Sequence, residues 1–211
     1  MPTGVAIRDP RGQLFDAAER ILLRDGPAAL TSRAVTAEAG VAKGVLHRHF
    51  ADFEDFLAEL ALDRVARVNA QAAALLALAG TGTVAGNLAA ALPDLFTPQM
   101  AALIRLVFAR DDLRARLRAA TASRIPLVSE SVALAARYLE AERDLGRVAP
   151  GTDIAMVAPM LVGAAQLLFT DTDGPPPDDT AVARLVATAL GDAAGQPAPG
   201  HVPARETGSS R

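Results

Sequence analysis

The chain has no cysteine and no tryptophan, and only one tyrosine and one lysine among its 211 residues. Without thiols it can form neither a disulfide nor a thiolate metal site, which fits a reducing compartment and makes the cytoplasm the expected location. Histidine is almost as scarce: His47, His49 and His201. His47 and His49 are two residues apart, so on a helix they point about 200° away from one another and cannot chelate one metal as an i, i+4 pair would. There is no nucleophile elbow, no paired-carboxylate spacing and no glycine-rich phosphate loop. The expectation is therefore no catalytic residue, no metal and no cofactor. Long apolar runs are also missing. The longest, residues 154–169, contains Pro159 and Gln166 and is too short to span a bilayer comfortably, so it reads as a buried packing helix. Residues 1–9 have no apolar core of the kind a signal peptide needs. The net charge of −3 excludes a general polycation, so any polyanion partner must be met by a local patch.

Alanine, leucine and valine dominate the 51% hydrophobic content, and aromatics make up only 4%. That balance favours helix, and the fold class expected is all-α. Asp9-Pro10 opens a first helix, with Leu14, Ala18, Ile21 and Leu22 on one face and Gly26-Pro27 as its stop. Thr31 to Phe50 then reads as two short helices joined by a turn. Thr31 or Ser32 caps the first, Gly40 supplies the positive φ needed to leave it, and Leu46 and Phe50 share one face of the second. Helices this short are stable only when packed, and the arrangement is that of a helix-turn-helix, whose second helix can enter a DNA major groove.

The residues here resemble the TetR family of one-component bacterial regulators. Thr31, Arg33, Ala39, Gly40, Val41, Gly44, Leu46, His49 and Phe50 coincide with the family pattern T-x-R-x-I-A-x-x-A-G-V-S-x-G-T-L-Y-x-H-F, with Val35 in place of isoleucine. Four positions depart. Ala42 stands where a serine usually caps the third helix, Val45 where threonine is common, and His47 where tyrosine is typical. Phe53 stands where a lysine usually starts the fourth helix and touches phosphate. The resemblance implies a DNA-binding set of Thr31, Ser32, Arg33, Lys43, Gly44, Val45, His47 and Arg48. Lys43 is suited to guanine or phosphate, Gly44 to close backbone approach, and Val45 to a thymine methyl. The charge distribution agrees. Residues 1–50 carry seven cations against five anions, a net of +2, leaving −5 for the remainder, and Lys43 is the only lysine.

Asp52, with Glu54 and Asp55 behind it, is expected to start a long fourth helix whose stripe of Leu57, Ala61, Val65, Val68, Ala72 and Leu76 ends at Gly80-Thr81-Gly82. Thr83 and Thr97-Pro98 open a fifth and a sixth. A long seventh helix is expected from Asp111 or Asp112 to about Glu142, kinked at Pro126, with Arg110, Arg114, Arg116, Arg118 and Arg124 making its start basic. An apolar eighth helix (153–170) and a ninth beginning at Asp178 or Asp179 and ending at Leu190 follow. The domains expected are 10–70 for DNA binding, 71–191 for ligand binding and dimerisation, and a disordered tail over 192–211.

By the same resemblance, the eighth and ninth helices form a four-helix homodimer interface, and the fourth to eighth enclose a pocket for a small-molecule effector. Its expected lining is Phe96, Met100, Leu103, Phe108, Tyr138, Met156 and Gln166; most of these also fit plain core packing, while the polar tips of Tyr138 and Gln166 in an apolar wall must either orient a ligand or find a protein partner. The functional expectation is a repressor that binds a near-palindromic double-stranded operator as a dimer and is released by an effector, with no membrane association. Two alternatives stay open: a helical protein-interaction module without DNA binding, and a regulator that needs no ligand.

Overall fold

The computed structural model describes residues 9–121, 123, 125–170 and 177–191. Within them lie ten α-helices and one 3-10 turn, and no strand. They are α1 (Pro10–Asp25), α2 (Ser32–Glu38), α3 (Gly44–His49), α4 (Phe53–Leu76), α5 (Val84–Leu95), α6 (Pro98–Ala109), α7 (Asp111–Thr121), α8 (Val128–Asp144), α9 (Ile154–Thr170) and α10 (Asp179–Leu190). The expectations for the 192–211 tail, His201, Arg124 and most of the 171–177 loop lie outside the described residues.

Most boundaries follow from caps that the sequence announces. Asp9, Thr31, Asp52, Thr83, Thr97 and Asp178 each accept a hydrogen bond from a backbone N–H of the first turn that follows. Each satisfies a donor that the helix start would otherwise leave open.

One expectation is corrected. The seventh helix is not one long kinked element but two, α7 and α8, separated at Ile125-Pro126-Leu127. Proline cannot donate to the helical ladder and clashes with the preceding turn, which is enough to stop a helix outright when a buried side chain holds the break open. Leu127 is that side chain. It is fully buried and adopts φ 72°, the only positive φ outside glycine among the described residues. The helices expected as eighth and ninth are therefore α9 and α10.

A single apolar core runs from Leu14 to Leu190. α1 packs on α2, α3 and α6. α4 packs on α3 at its start and on α5, α7 and α8 further along, while α9 lies between α8, α6 and α10. α4 passes residue 70 without interruption, so the head and the remainder share one helix and one core. No helix of the described residues is long and apolar enough to cross a membrane.

Candidate nucleic-acid interface

Three phenylalanines hold the two short helices in place. Phe15 of α1, Phe50 at the end of α3 and Phe56 of α4 pack against one another, with centroids 5.8, 5.7 and 5.1 Å apart. Leu46 is fully buried beneath α3 and Val35 beneath α2. The turn between these helices closes as a Schellman motif: Val41 N donates to Thr36 O at 3.0 Å and Gly40 N to Ala37 O at 3.1 Å, with Gly40 at φ 66°. Only glycine adopts that conformation without steric cost, so the angle between α2 and α3 depends on residue 40.

With Leu46 and Phe50 turned inward, the opposite face of α3 is turned out. Gly44, His47 and Arg48, at i, i+3 and i+4, are exposed, as are Lys43 just before the helix and Thr31 and Arg33 at the start of α2. Val45 is half-buried and packs against the core. Thr31 spends its hydroxyl on the cap, accepting from Ala34 N at 3.1 Å. Ser32 departs from the set: its Oγ is enclosed and has no hydrogen-bond partner. As Ala42 foretells, no side chain caps α3. Phe53 is half-buried and stacks on Phe56 at 5.7 Å, so it serves the core where the family places a lysine.

The cations of the head divide into two groups. Arg11 pairs with Glu59, Arg20 and Arg24 with Glu38, and Arg64 with Glu19. Arg33, Lys43 and Arg48 take part in no ion pair among the described residues. The free cations thus gather on the exposed edge formed by the start of α2 and the outer face of α3. An exposed, uncompensated cluster of this kind can meet a polyanion without first breaking internal pairs.

The seven expected ligand-lining residues do not come together in the same way. Phe96, Met100 and Leu103 are buried in the core, whereas Phe108 and Met156 are 53% and 57% exposed. Gln166 is half-buried on α9. Tyr138 is buried, and its hydroxyl is already engaged: it donates to Glu142 Oε1 at 2.6 Å and accepts from Asn87 Nδ2 at 2.9 Å. Glu142, itself fully buried, also accepts from Gly80 N and faces Arg147. A cleft of about 330 Å³ between α4 and α5 is lined by Gln71, Leu75, Leu78, Asn87, Ala91 and Asp94 among others, none of them from the seven.

Two of the arginines expected to make the start of the seventh helix basic have specific partners at the head. Arg110 pairs with Glu54, and its guanidinium lies 5.9 Å over the Phe53 ring. Arg116 reaches Asp52 at 3.3 Å. The separations are 56 and 64 residues, so no local pattern announces either pair.

Residues 14–60 match the family model described as bacterial regulatory proteins, tetR family. Among solved structures, the chain is similar to the fatty acid degradation regulator FadR of Bacillus halodurans, at 18% identity and TM-score 0.68 over 86% of this chain and 95% of that one. It is similar to FadR of Bacillus subtilis in complex with stearoyl-CoA, at 16% identity and TM-score 0.63 over 87% and 97%. Reduced NemR of E. coli gives 17% identity and TM-score 0.66 over 90% and 100%. No curated protein matches the chain.

Proposed function

We propose that this chain, whose residues 14–60 match the family model of tetR-family bacterial regulatory proteins, binds double-stranded DNA as a homodimer and works in the cytoplasm as an effector-released repressor. The observation that carries the reading is the segregation of charge in the head, where Arg33, Lys43 and Arg48 are exposed and unpaired while the neighbouring arginines are neutralised. Lys43 and Arg33 supply phosphate or guanine contacts, Gly44 allows close approach, Val45 reaches a thymine methyl, and His47, Arg48 and Thr31 contact the backbone. Ser32 joins them only if its hydroxyl turns outward from its enclosed position.

Dimerisation is supported by α9. Its sequence has no charged residue, and its outer face exposes Met156, Met160 and Leu167 at 57%, 56% and 76% together with Ala155, Pro159, Gly163 and Ala164. Monomeric proteins rarely leave such a face to water. Pairing α9 and α10 about a two-fold axis makes a four-helix interface and sets the two α3 helices on successive major grooves, about 34–36 Å apart, on a near-palindromic site. An apolar or amphipathic effector acts by favouring a spacing that no longer fits, with α4 carrying the movement because it belongs to both the head and the bundle. Of the residues expected to line its site, Tyr138 contacts the effector only by giving up the Asn87 and Glu142 bonds.

The test uses the single lysine. Acetylation by an N-hydroxysuccinimide ester targets one side chain, Lys43, besides the chain's amino terminus. Duplex DNA is expected to protect Lys43, and acetylated protein is expected to lose DNA retardation. Acetylation unaffected by DNA, with retardation intact, would sink the reading. A second reading, a helical interaction module without DNA binding, is favoured by one observation: Asp52, Glu54 and Asp55 make the start of α4 acidic directly after α3.

A further inference from the structure

That acidic start presents a physical problem for a DNA-binding head. Asp52 follows His49, the last residue of α3, by three positions, so the chain allows at most about 11 Å between them. That backbone separation is close to a Debye length at moderate ionic strength, so the acidic start of α4 acts on phosphates bound along α3. Asp52 cannot withdraw, because its Oδ1 accepts from Asp55 N at 2.6 Å and caps α4. Asp55 is likewise held, accepting from Ala51 N at 2.9 Å. Asp111 and Asp112 add to the acidity, lining one cleft with Glu54 and Arg110. Three carboxylates from α4 would therefore repel the phosphates that Lys43 and Arg48 attract.

The compensation comes from outside the head. Arg116, on the second turn of α7, places its guanidinium 3.3 Å from Asp52 Oδ2, and Arg110, just before α7, pairs with Glu54. Neither arginine belongs to the residues that match the family model, and both approach α4 from the side of the bundle. The Arg116–Asp52 pair is about half exposed on each side, so its contribution to stability is small. Its effect on the local field is not small, since it cancels a charge next to the reading helix.

We propose that Arg116 is a positioning residue for DNA binding: it neutralises Asp52, so that the acidic start of α4 can lie against the DNA backbone only while α7 is docked on α4. This rests on the DNA-binding reading above and extends it, because DNA affinity then depends on how the α6–α7 corner meets α4 as well as on the spacing of two heads. Movement of α7 unmasks Asp52 and Glu54 and weakens binding electrostatically within one subunit. Arg116 is the better probe of the two, because the Glu54 pair is less exposed and one Glu54 oxygen is enclosed without a partner, which ties Arg110 to folding.

The experiment measures fluorescence anisotropy of a short random-sequence duplex across a salt series, with the full-length protein. Arg116→Ala is expected to weaken binding about 3- to 10-fold at low salt, with the thermal midpoint unchanged. The double variant Arg116→Ala/Asp52→Asn, which has lost both charges and keeps the cap, is expected to bind as the wild type does. A loss that Asp52→Asn does not restore, with a salt slope reduced by about one, means that Arg116 touches phosphate itself and overturns the proposal. If Lys43→Ala weakens binding while Arg116→Ala does not, this inference falls and the DNA-binding reading stands. If neither substitution weakens binding, both fall.

Discussion

Lys43 is the residue on which the functional reading turns, and its environment is plain: exposed, unpaired, and next to a glycine. Lys43→Ala or Arg33→Ala is expected to cost about 1–3 kcal/mol of binding to a cognate duplex if the side chain reads a base. A phosphate-only contact instead lowers the salt slope by about one and weakens all sequences alike. Titration of each variant against duplexes at several salt concentrations separates these outcomes. Tyr138 illustrates a residue whose sequence signal is ambiguous. A buried polar tip must find either a ligand or a protein partner, and it finds Asn87 and Glu142. Burial first, and then the Glu142 bond, push its hydroxyl up from 10.0 to about 12. Folded and unfolded chains are equally protonated there below the unfolded value. Between about 10 and 12 only the unfolded chain loses the proton, so stability falls with rising pH in that window, by on the order of 2 kcal/mol. Tyr138→Phe is expected to remove that slope and to cost about 1–3 kcal/mol at neutral pH by leaving Glu142 Oε1 without its donor. Urea unfolding at neutral and alkaline pH checks both.

Among the elements, the α2–α3 turn has the least tolerance. The space where a Cβ of residue 40 would stand is open, with no heavy atom within 4 Å, so a side chain there is opposed by backbone conformation alone. Gly40→Ala is expected to destabilise by about 1–2 kcal/mol and to reduce DNA affinity beyond what the stability loss explains, because α3 is re-aimed. Gly40→Asn should recover most of both, since asparagine tolerates the left-handed region; thermal melts and anisotropy report the two effects separately. The start of this unit was legible from Thr31, Gly40, Leu46 and Phe50 because caps and turns act over three or four residues. The break between α7 and α8 was half legible. Pro126 marks the place, but whether a proline kinks or ends a helix depends on what its neighbours can bury, and burial of Leu127 decided it.

For the whole molecule, the described residues leave the uncharged outer face of α9 uncovered, and this is the face that the proposed homodimer would bury. Met160→Glu or Leu167→Glu is expected to yield a folded monomer with weakened affinity for a two-site duplex, as read by sedimentation velocity, circular dichroism and anisotropy. A protein that remains dimeric with both substitutions combined would place the interface elsewhere. Wild-type protein that sediments as a monomer at micromolar concentration would remove the dimer reading altogether.

Sequence by itself determined the helix class, nearly every helix start and the exposed face of α3. These depend on side chains that act on their own backbone or on a period of about 3.6 residues. It could not determine that Phe108 and Met156 face outward, that Tyr138 is already satisfied, or that Arg110 and Arg116 close on the start of α4. Those facts join residues far apart in the chain or depend on which face a neighbouring helix covers, and only the packed chain brings such groups within range of one another.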